Sequence, residues 1–199
     1  MTIETTYLRA TADAASRLKT GFIAVYQEAF GGAPYFEHYT EAEVAATVWE
    51  PHTTHGIVIL ALQHNQVIGL GCALPLLAAP TDIQEHLRAS DAPGGLALPW
   101  AHTWYMSELG VLEPFRRQGI GARLIRERLV RIGRVGGTHY VLRTAAAGSN
   151  SAGLYRRLGA IDIAQPQDVS SSDQVQTNQS HSTTRIYLAG RCTEALARG

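Results

Sequence analysis

Lysine is almost absent from this chain. Of its 199 residues one is lysine, Lys19, while sixteen are arginine. Lys19-Thr20 has no glycine before it, which excludes a phosphate-binding P-loop and Walker-type ATPase chemistry. A lysine Schiff base for pyridoxal phosphate would have to rest on that one residue, in what reads as a surface helix. Cysteine is scarce too: Cys72 and Cys192 stand far apart and form no CxxC pair, which removes zinc ribbons and a disulfide framework and leaves two plain thiols. Net charge is missing, because 17 basic residues cancel 17 acidic ones. Without a whole-chain field to concentrate polyanions, neither nucleic acid nor a membrane surface is expected as a partner. No apolar run approaches the ~20 residues that span a bilayer. Met1 to Tyr7 carries neither a basic n-region nor an apolar h-region, which predicts no secretory signal and a cytoplasmic protein.

What is present is a hydrophobic content of 45%, enough for one domain over residues 1–199 with a real core. Ile3 to Leu8 alternates like an edge strand. Thr11 or Asp13 then caps a helix to about Phe30, whose apolar residues Leu18, Phe22, Val25, Tyr26 and Ala29 fall at three- and four-residue spacing. Glu41 to Trp49 predicts a shorter helix ended by Pro51. The period then changes: Ile57 to Leu62 and Val67 to Leu74 are strand-like runs around a hairpin turn at His64-Asn65-Gln66. Residues 75–103 are irregular and rich in proline, with a helical turn or two at Asp82 to Ala89, and a loop that long implies a task. A strand over Trp104 to Leu112, a helix from Gly119 to about Gly133, a strand over Tyr140 to Thr144 and a helix over Ser151 to Leu158 follow. Two strands close the chain, near Ile161 and over Thr183 to Leu188, joined by a polar hairpin connection at about 168–182.

Chemistry concentrates in Ser107-Glu-Leu-Gly-Val-Leu-Glu-Pro-Phe-Arg-Arg-Gln-Gly-Ile-Gly-Ala122, where a strand passes through a tight loop into a helix. Gly119 and Gly121 let a ligand approach the backbone, and the first N–H groups of the helix lack intrahelical partners, so the loop suits a phosphate or pyrophosphate. A dinucleotide site fails in detail: GxGxxG would need glycine where Leu124 stands. The histidines His52 and His55 follow Pro51 in a turn, without the helical HExxH context of a zinc site, and are expected to be solvent-exposed; no metal is expected. Gly148 to Gly153 does not meet the GxSxG spacing, which argues against a hydrolase. Of the seven arginines between Arg116 and Arg134, Arg126, Arg128, Arg131 and Arg134 read as a solvated helix face, with Glu127 and Arg131 as an i,i+4 pair.

Arg116-x-x-Gly119-x-Gly121 after a strand bearing Glu108, a strand ending near Thr144, and Leu154-Tyr-Arg-Arg-Leu-Gly159 on a helix together resemble the GNAT superfamily of acetyl-CoA-dependent N-acetyltransferases. The specific motifs cover about Met106 to Ala160. The resemblance implies an α+β fold, with a central, mixed but mostly antiparallel twisted sheet of about six or seven strands flanked by about four helices. It implies acetyl-CoA as co-substrate, its pyrophosphate cradled by Arg116, Arg117, Gln118, Gly119, Ile120, Gly121 and Ala122, with Arg123 near the adenosine 3′-phosphate. Its pantetheine arm would run beside Leu109, Gly110 and Val111, with Thr144 and Asn150 adjoining. The family's usual asparagine falls on Gly148 here, with Asn150 two residues late, and its usual aromatic after the last glycine is Ala160.

Acyl transfer to an alkyl amine of pKa ~10 needs a base, and a leaving thiolate needs an acid. The resemblance assigns these roles to Glu108, possibly through a water, and to Tyr155. Acceptor choice would come from Tyr35, Phe36 and Glu37 after the first helix and from the long loop with Asp82, Glu85, Asp91, Trp100, His102 and Trp104. Aromatic faces beside carboxylates suit a small cationic amine with some apolar body. A protein or peptide N-acetyltransferase and a non-enzymatic acyl-CoA-binding module remain the alternatives. The apolar strand Ile186 to Leu188 offers an edge for pairing in a homodimer.

Overall fold

The computed structural model describes residues 4–90, 96–170 and 182–198. Nine strands among them form one twisted sheet. β1 (Thr6–Ala10) runs antiparallel to β2 (Ile57–Gln63), which turns into β3 (Gln66–Pro75) through His64 and Asn65. Both turn residues have positive φ, 47° and 62°, the left-handed pair that a two-residue hairpin demands. β4 (Thr103–Tyr105) and β5 (Leu109–Val111) both pair with β3. β4 alone continues the sheet, parallel to β6 (His139–Ala145). Next come β7 (Ile161–Asp162) and β8 (Gln167–Ser170), both on the outer edge of β9 (Ser182–Arg191), whose inner edge pairs with β6.

Alternation along β2 and β3 decides which helix covers which face. Val58, Leu60, Leu62, Leu70 and Cys72 pack under α1 (Ser16–Gly31), and Ile57, Ile59, Ala61, Ile68 and Ala73 point the other way. Each valine, leucine and isoleucine among them, buried completely or nearly so, gains about 1.5–3 kcal/mol over exposure. A second helical stretch begins at Thr40, whose side chain and that of Glu43 form a capping box at the start of α2 (Glu41–Val44). It passes through π-helical Ala45–Trp49 into α3 (Glu50–His55). Pro51 therefore does not end this helix. The Glu50 N–H reaches back to the Ala45 carbonyl, and this wider turn admits a residue that has no N–H of its own to donate.

The described residues of the 75–103 segment are likewise a cover rather than a free loop. It contains α4 (Thr81–Ala89), and its fully buried Leu76 and Ile83 pack with Tyr105, Val141 and Tyr187 on the α1 side of β4, β6 and β9. The opposite face carries α5 (Ile120–Arg134), α6 (Ser151–Arg157) and α7 (Cys192–Arg198). β8 and α7 were not expected. The residues between β8 and β9, 171–181, lie outside the described residues, and so does most of the expected 168–182 connection. Ile186 to Leu188 offers no free edge for a dimer, since β6 takes one side of β9 and β7, β8 and the Ile163 N–H take the other. No described helix is long and apolar enough to cross a membrane.

Candidate active site

The expected single strand over Trp104 to Leu112 is broken where the chemistry was anticipated. Pairing of Leu74 with Tyr105 and of Gly71 with Leu109 leaves Cys72 and Ala73 opposite Met106, Ser107 and Glu108. This is a β-bulge with one extra residue, and such bulges re-aim side chains. Because β4 pairs with β6 and β5 does not, a gap opens between β5 and β6. A cavity of about 180 Å³ fills it, lined by Glu108, Tyr155, Ser107, Thr144, Tyr35 and Glu37 among others.

The bulge is held from several sides. Cys72 N–H donates to the Glu108 carbonyl at 2.9 Å, and Met106 N–H to Val141 at 2.8 Å. Arg128, on α5, is completely buried; its Nη1 donates to the Cys72 and Glu108 carbonyls at 2.8 and 3.0 Å, its Nε to Leu124 at 3.2 Å. This corrects the reading of Arg128 as part of a solvated face. It follows Ile120 and Leu124 at four-residue spacing on the buried stripe of α5, a signal present in the sequence. His52 is corrected in the same way: in α3 it is 4% exposed, with Nδ1 2.6 Å from the Val48 carbonyl and Nε2 2.7 Å from Ser107 Oγ. Nδ1 must then carry the proton, and the Ser107 hydroxyl donates to Nε2. Desolvation lowers the His52 pKa to about 4.

Glu108, half-buried, lines this cavity. Burial, reinforced by the charge of Glu37, pushes its carboxyl up to about 8, with Arg143, Arg128 and Arg185 pulling the other way. That value suits a group that must gain and lose a proton near neutrality. Tyr155 is 1% exposed and lines the same cavity. Its oxygen accepts from Arg128 Nη2 at 3.0 Å, which leaves its own O–H free to donate. Burial raises the phenol pKa and Arg128 opposes the rise.

The anticipated phosphate loop lies beyond β5. Leu109 and Val111 pack toward α5, while Gly110 faces α1, where a Cβ would come within 2.9 Å of Ala29. Arg116 Nε donates to the Val111 carbonyl at 2.9 Å, fixing the loop to the strand end. Arg117 and Gly119 have positive φ, 63° and 81°, and Gly119 caps α5 with no side-chain cap bond. The N–H groups of Ile120, Gly121 and Ala122 thus start the helix without intrahelical acceptors, and the space around Gly119 is open. Such a turn suits an anionic group such as a phosphate or diphosphate. Gln118 is exposed, bonded to the Pro114 carbonyl at 3.2 Å. Arg123 pairs with Glu127 at 2.8 Å, so Glu127 is engaged one turn earlier than the expected Arg131. Thr144 is buried beside Tyr35 and Ser149. Asn150 is exposed, and Ser151 lines the cavity in its stead.

On the acceptor side, Tyr26, Phe30, Tyr35 and Tyr39 form an aromatic wall, with ring centroids 4.7 Å apart for Tyr26 and Phe30 and 5.4 Å for Phe30 and Tyr35. Glu37 is brought back to the wall by its N–H, which donates to the Phe30 carbonyl at 2.9 Å. Phe36 and Trp104 do not line the cavity; Trp104 packs against Gly137. The 75–103 segment contributes no described lining residue either. Asp82 pairs with Arg143 at 2.8 Å, Trp100 lies under Arg88, and His102 faces the Gly136 carbonyl, while Asp91 lies outside the described residues. Two cations that the sequence did not single out, Arg143 and Arg185, do line the cavity. Among the described residues no cluster of three or more His, Cys, Asp or Glu is arranged to hold a metal.

A bulged central strand, a gap beside it and a glycine-bounded helix start are thus gathered on the mixed, mostly antiparallel sheet of an α+β fold. The chain belongs to the acetyltransferase (GNAT) family, whose model matches residues 22–160. No curated protein matches the chain in sequence. Among solved structures, an N-acetyltransferase from Staphylococcus aureus Mu50 is similar with a TM-score of 0.66 at 13% identity, covering 94% of this chain and 99% of that one. The ribosomal-protein-S18-alanine N-acetyltransferase of Escherichia coli gives 0.60 at 13% identity, covering 94% of each chain. The ribosomal-protein-alanine N-acetyltransferase of Brucella melitensis gives 0.62 at 14% identity, covering 92% of this chain and 99% of that one.

Proposed function

We propose that the protein transfers the acetyl group of acetyl-CoA to the primary amine of a small molecule by direct attack. The observation that carries this reading is the pair Glu108 and Tyr155, a carboxyl pushed up to about 8 and a phenol whose oxygen is held by Arg128, on one cavity in the gap beside β5. The coenzyme supplies an activated acyl group as a thioester. The N–H groups that open α5 and the Arg116–Arg123 segment bind its diphosphate, and the edge of β5 that faces away from β3 binds its pantetheine arm as a strand would.

Glu108 takes a proton from the ammonium form of the acceptor, directly or through a water. The amine nitrogen then bonds the carbonyl carbon of the thioester, and the carbon–sulfur bond breaks. Tyr155 gives its proton to the departing sulfur and recovers one, through solvent, from the newly acylated nitrogen. Glu108 returns its proton to water, so one proton is released per turnover. Tyr35 and Glu37 contact the acceptor.

The small cavity favours a compact acceptor. Two of the similar structures are ribosomal-protein-alanine N-acetyltransferases, and a peptide amine is therefore the second acceptor class. The test is thiol release from acetyl-CoA across amines, amino acids, polyamines, aminoglycosides and short peptides. Release with one chemical group supports the reading and names the acceptor. Coenzyme binding without release from any acceptor would leave a binding module.

A further inference from the structure

The cavity is lined from both faces of the sheet, and the two sides differ in charge. Register pairs Arg143 with Tyr187 and Ala145 with Arg185, so Arg143 and Arg185 stand on the same face as each other, the α1 side that Glu37 also reaches. Tyr155 approaches from the opposite side, with α5 and α6. The acceptor half therefore carries two guanidinium groups beside its carboxylates, rather than the carboxylates and aromatic faces alone that the sequence singled out. Both are ion-paired, Arg143 with Asp82 and Arg185 with Glu37.

Arg185 is the more telling. It is 8% exposed, its guanidinium lies 4.6 Å from the Tyr35 ring centroid, and Nη2 donates to Glu37 at 3.4 Å. Its Nε–H is buried and has no hydrogen-bond partner among the described residues. A buried guanidinium donor without an acceptor is costly, and of the described buried groups left unpartnered, Arg131 Nε, Tyr140 Oη and Arg185 Nε, only Arg185 lines the cavity, where a small shift of the side chain would let a ligand oxygen complete the set. The natural complement of an arginine fork stacked on an aromatic ring is a carboxylate. Arg143, tied by Nη1 to Asp82 at 2.8 Å, stands on the same wall.

We infer that the acceptor is a free amino acid or a close analogue, an amine with a carboxylate a few carbons away. Its carboxylate is received at the Arg185 edge, and its amine is thereby held toward Glu108. This rests on the N-acetyltransferase reading and narrows its substrate class. A peptide N-terminus, which has a neutral amide in place of that carboxylate, can offer Arg185 one carbonyl acceptor but neither the charge nor the second oxygen, and is the poorer fit.

The test compares three sets of compounds of matched side chain: amino acids, their amides, and the decarboxylated amines. Thiol release gives kcat/KM for each, and thermal shift in the presence of coenzyme A gives binding without turnover. The expected result is a preference for the acid over its amide on the order of 100-fold in kcat/KM, carried by KM. Arg185→Gln abolishes the preference; Arg185→Lys, which keeps the charge against Glu37 and guards against a folding defect, restores part of it. Equal or better use of amides, amines or short peptides would overturn the inference and leave the enzyme standing. If no amine is acetylated, the enzymatic reading fails, and the carboxylate site is still decided by whether amino acids stabilise the protein more than their amides do.

Discussion

The guanidinium of Arg128 donates to the Tyr155 hydroxyl and to the Glu108 carbonyl, at 3.0 Å in each case. One buried side chain thus joins the strand bulge to the helix that faces it across the cavity. It occupies one lone pair of the Tyr155 oxygen and leaves the phenolic O–H free to donate, to the departing sulfur in the proposed mechanism. It also favours the phenolate that forms once that proton has gone.

Arg128→Met keeps most of the volume and removes every donor. The Cys72 carbonyl loses its guanidinium partner and the Glu108 carbonyl keeps only the Cys72 N–H. We expect a loss of about 2–4 kcal/mol in urea unfolding, from buried acceptors left unpaired. kcat should fall on the order of 10- to 100-fold with the Kd for coenzyme A little changed. An unchanged urea midpoint would show that the buried guanidinium is not needed to hold the bulge.

Glu108→Gln tests the base. Its carboxyl is pushed up to about 8, so the ionised form accumulates as pH rises through that value, and the rate of the wild type rises with it. The variant should lose this limb and on the order of 10²- to 10⁴-fold in kcat. Two acceptors of different amine pKa separate the enzyme's limb, common to both, from the acceptor's own titration. Stability moves the opposite way. Between the ordinary carboxylate range and about 8 the folded chain holds a proton that the unfolded chain has lost, so stability falls as pH rises through that window. Glu108→Gln should therefore gain stability relative to wild type at pH 8 and not at pH 4.

Gly119→Ala tests the helix start. Nothing lies within 4 Å of the added methyl, so any effect comes from the backbone φ of 81°. A left-handed alanine costs about 1–2 kcal/mol. Relaxation toward negative φ would turn the N–H groups away, weakening coenzyme A binding on the order of 10-fold, which calorimetry reads directly. A variant that binds coenzyme A as the wild type does would remove this turn from the proposed diphosphate site.

Where local pattern carries the information, the sequence was legible. The His64-Asn65 turn, the two-faced strands β2 and β3 and the start of α5 at Gly119 follow from residue type and spacing. Glu108 and Tyr155, proposed from motif context, line one cavity although 47 positions separate them. What was not legible depends on tertiary context. Pro51 breaks a helix by propensity, yet a wide turn at Ala45–Trp49 absorbs it and carries His52 into the core. Arg128 looked like one of many solvated arginines because residue type outweighed its position on the apolar stripe of α5. Arg143 and Arg185 face the cavity only because β5 diverges from β6, and no spacing within one strand announces a gap between two.

His52 supplies an acid-side test that does not depend on catalysis. Its ring is held neutral, Nδ1 donating to Val48 and Nε2 accepting from Ser107, and its pKa is lowered from 6.5 to about 4. Between those values the unfolded chain binds a proton that the folded chain refuses. Unfolding then takes up protons, and stability falls as the pH is lowered from 6.5 toward 4. The full contribution is present above 6.5. Urea unfolding of the wild type at pH 7, 6 and 5 should show that loss, with a slope of at most about 1.4 kcal/mol per pH unit from this one group. His52→Gln removes the titration, so the stability gap between the two proteins should narrow as the pH falls, while carboxylate contributions common to both cancel. A gap of constant size would mean that His52 titrates alike folded and unfolded. The Ser107 hydroxyl, next to Glu108, would then not be pinned through a neutral imidazole.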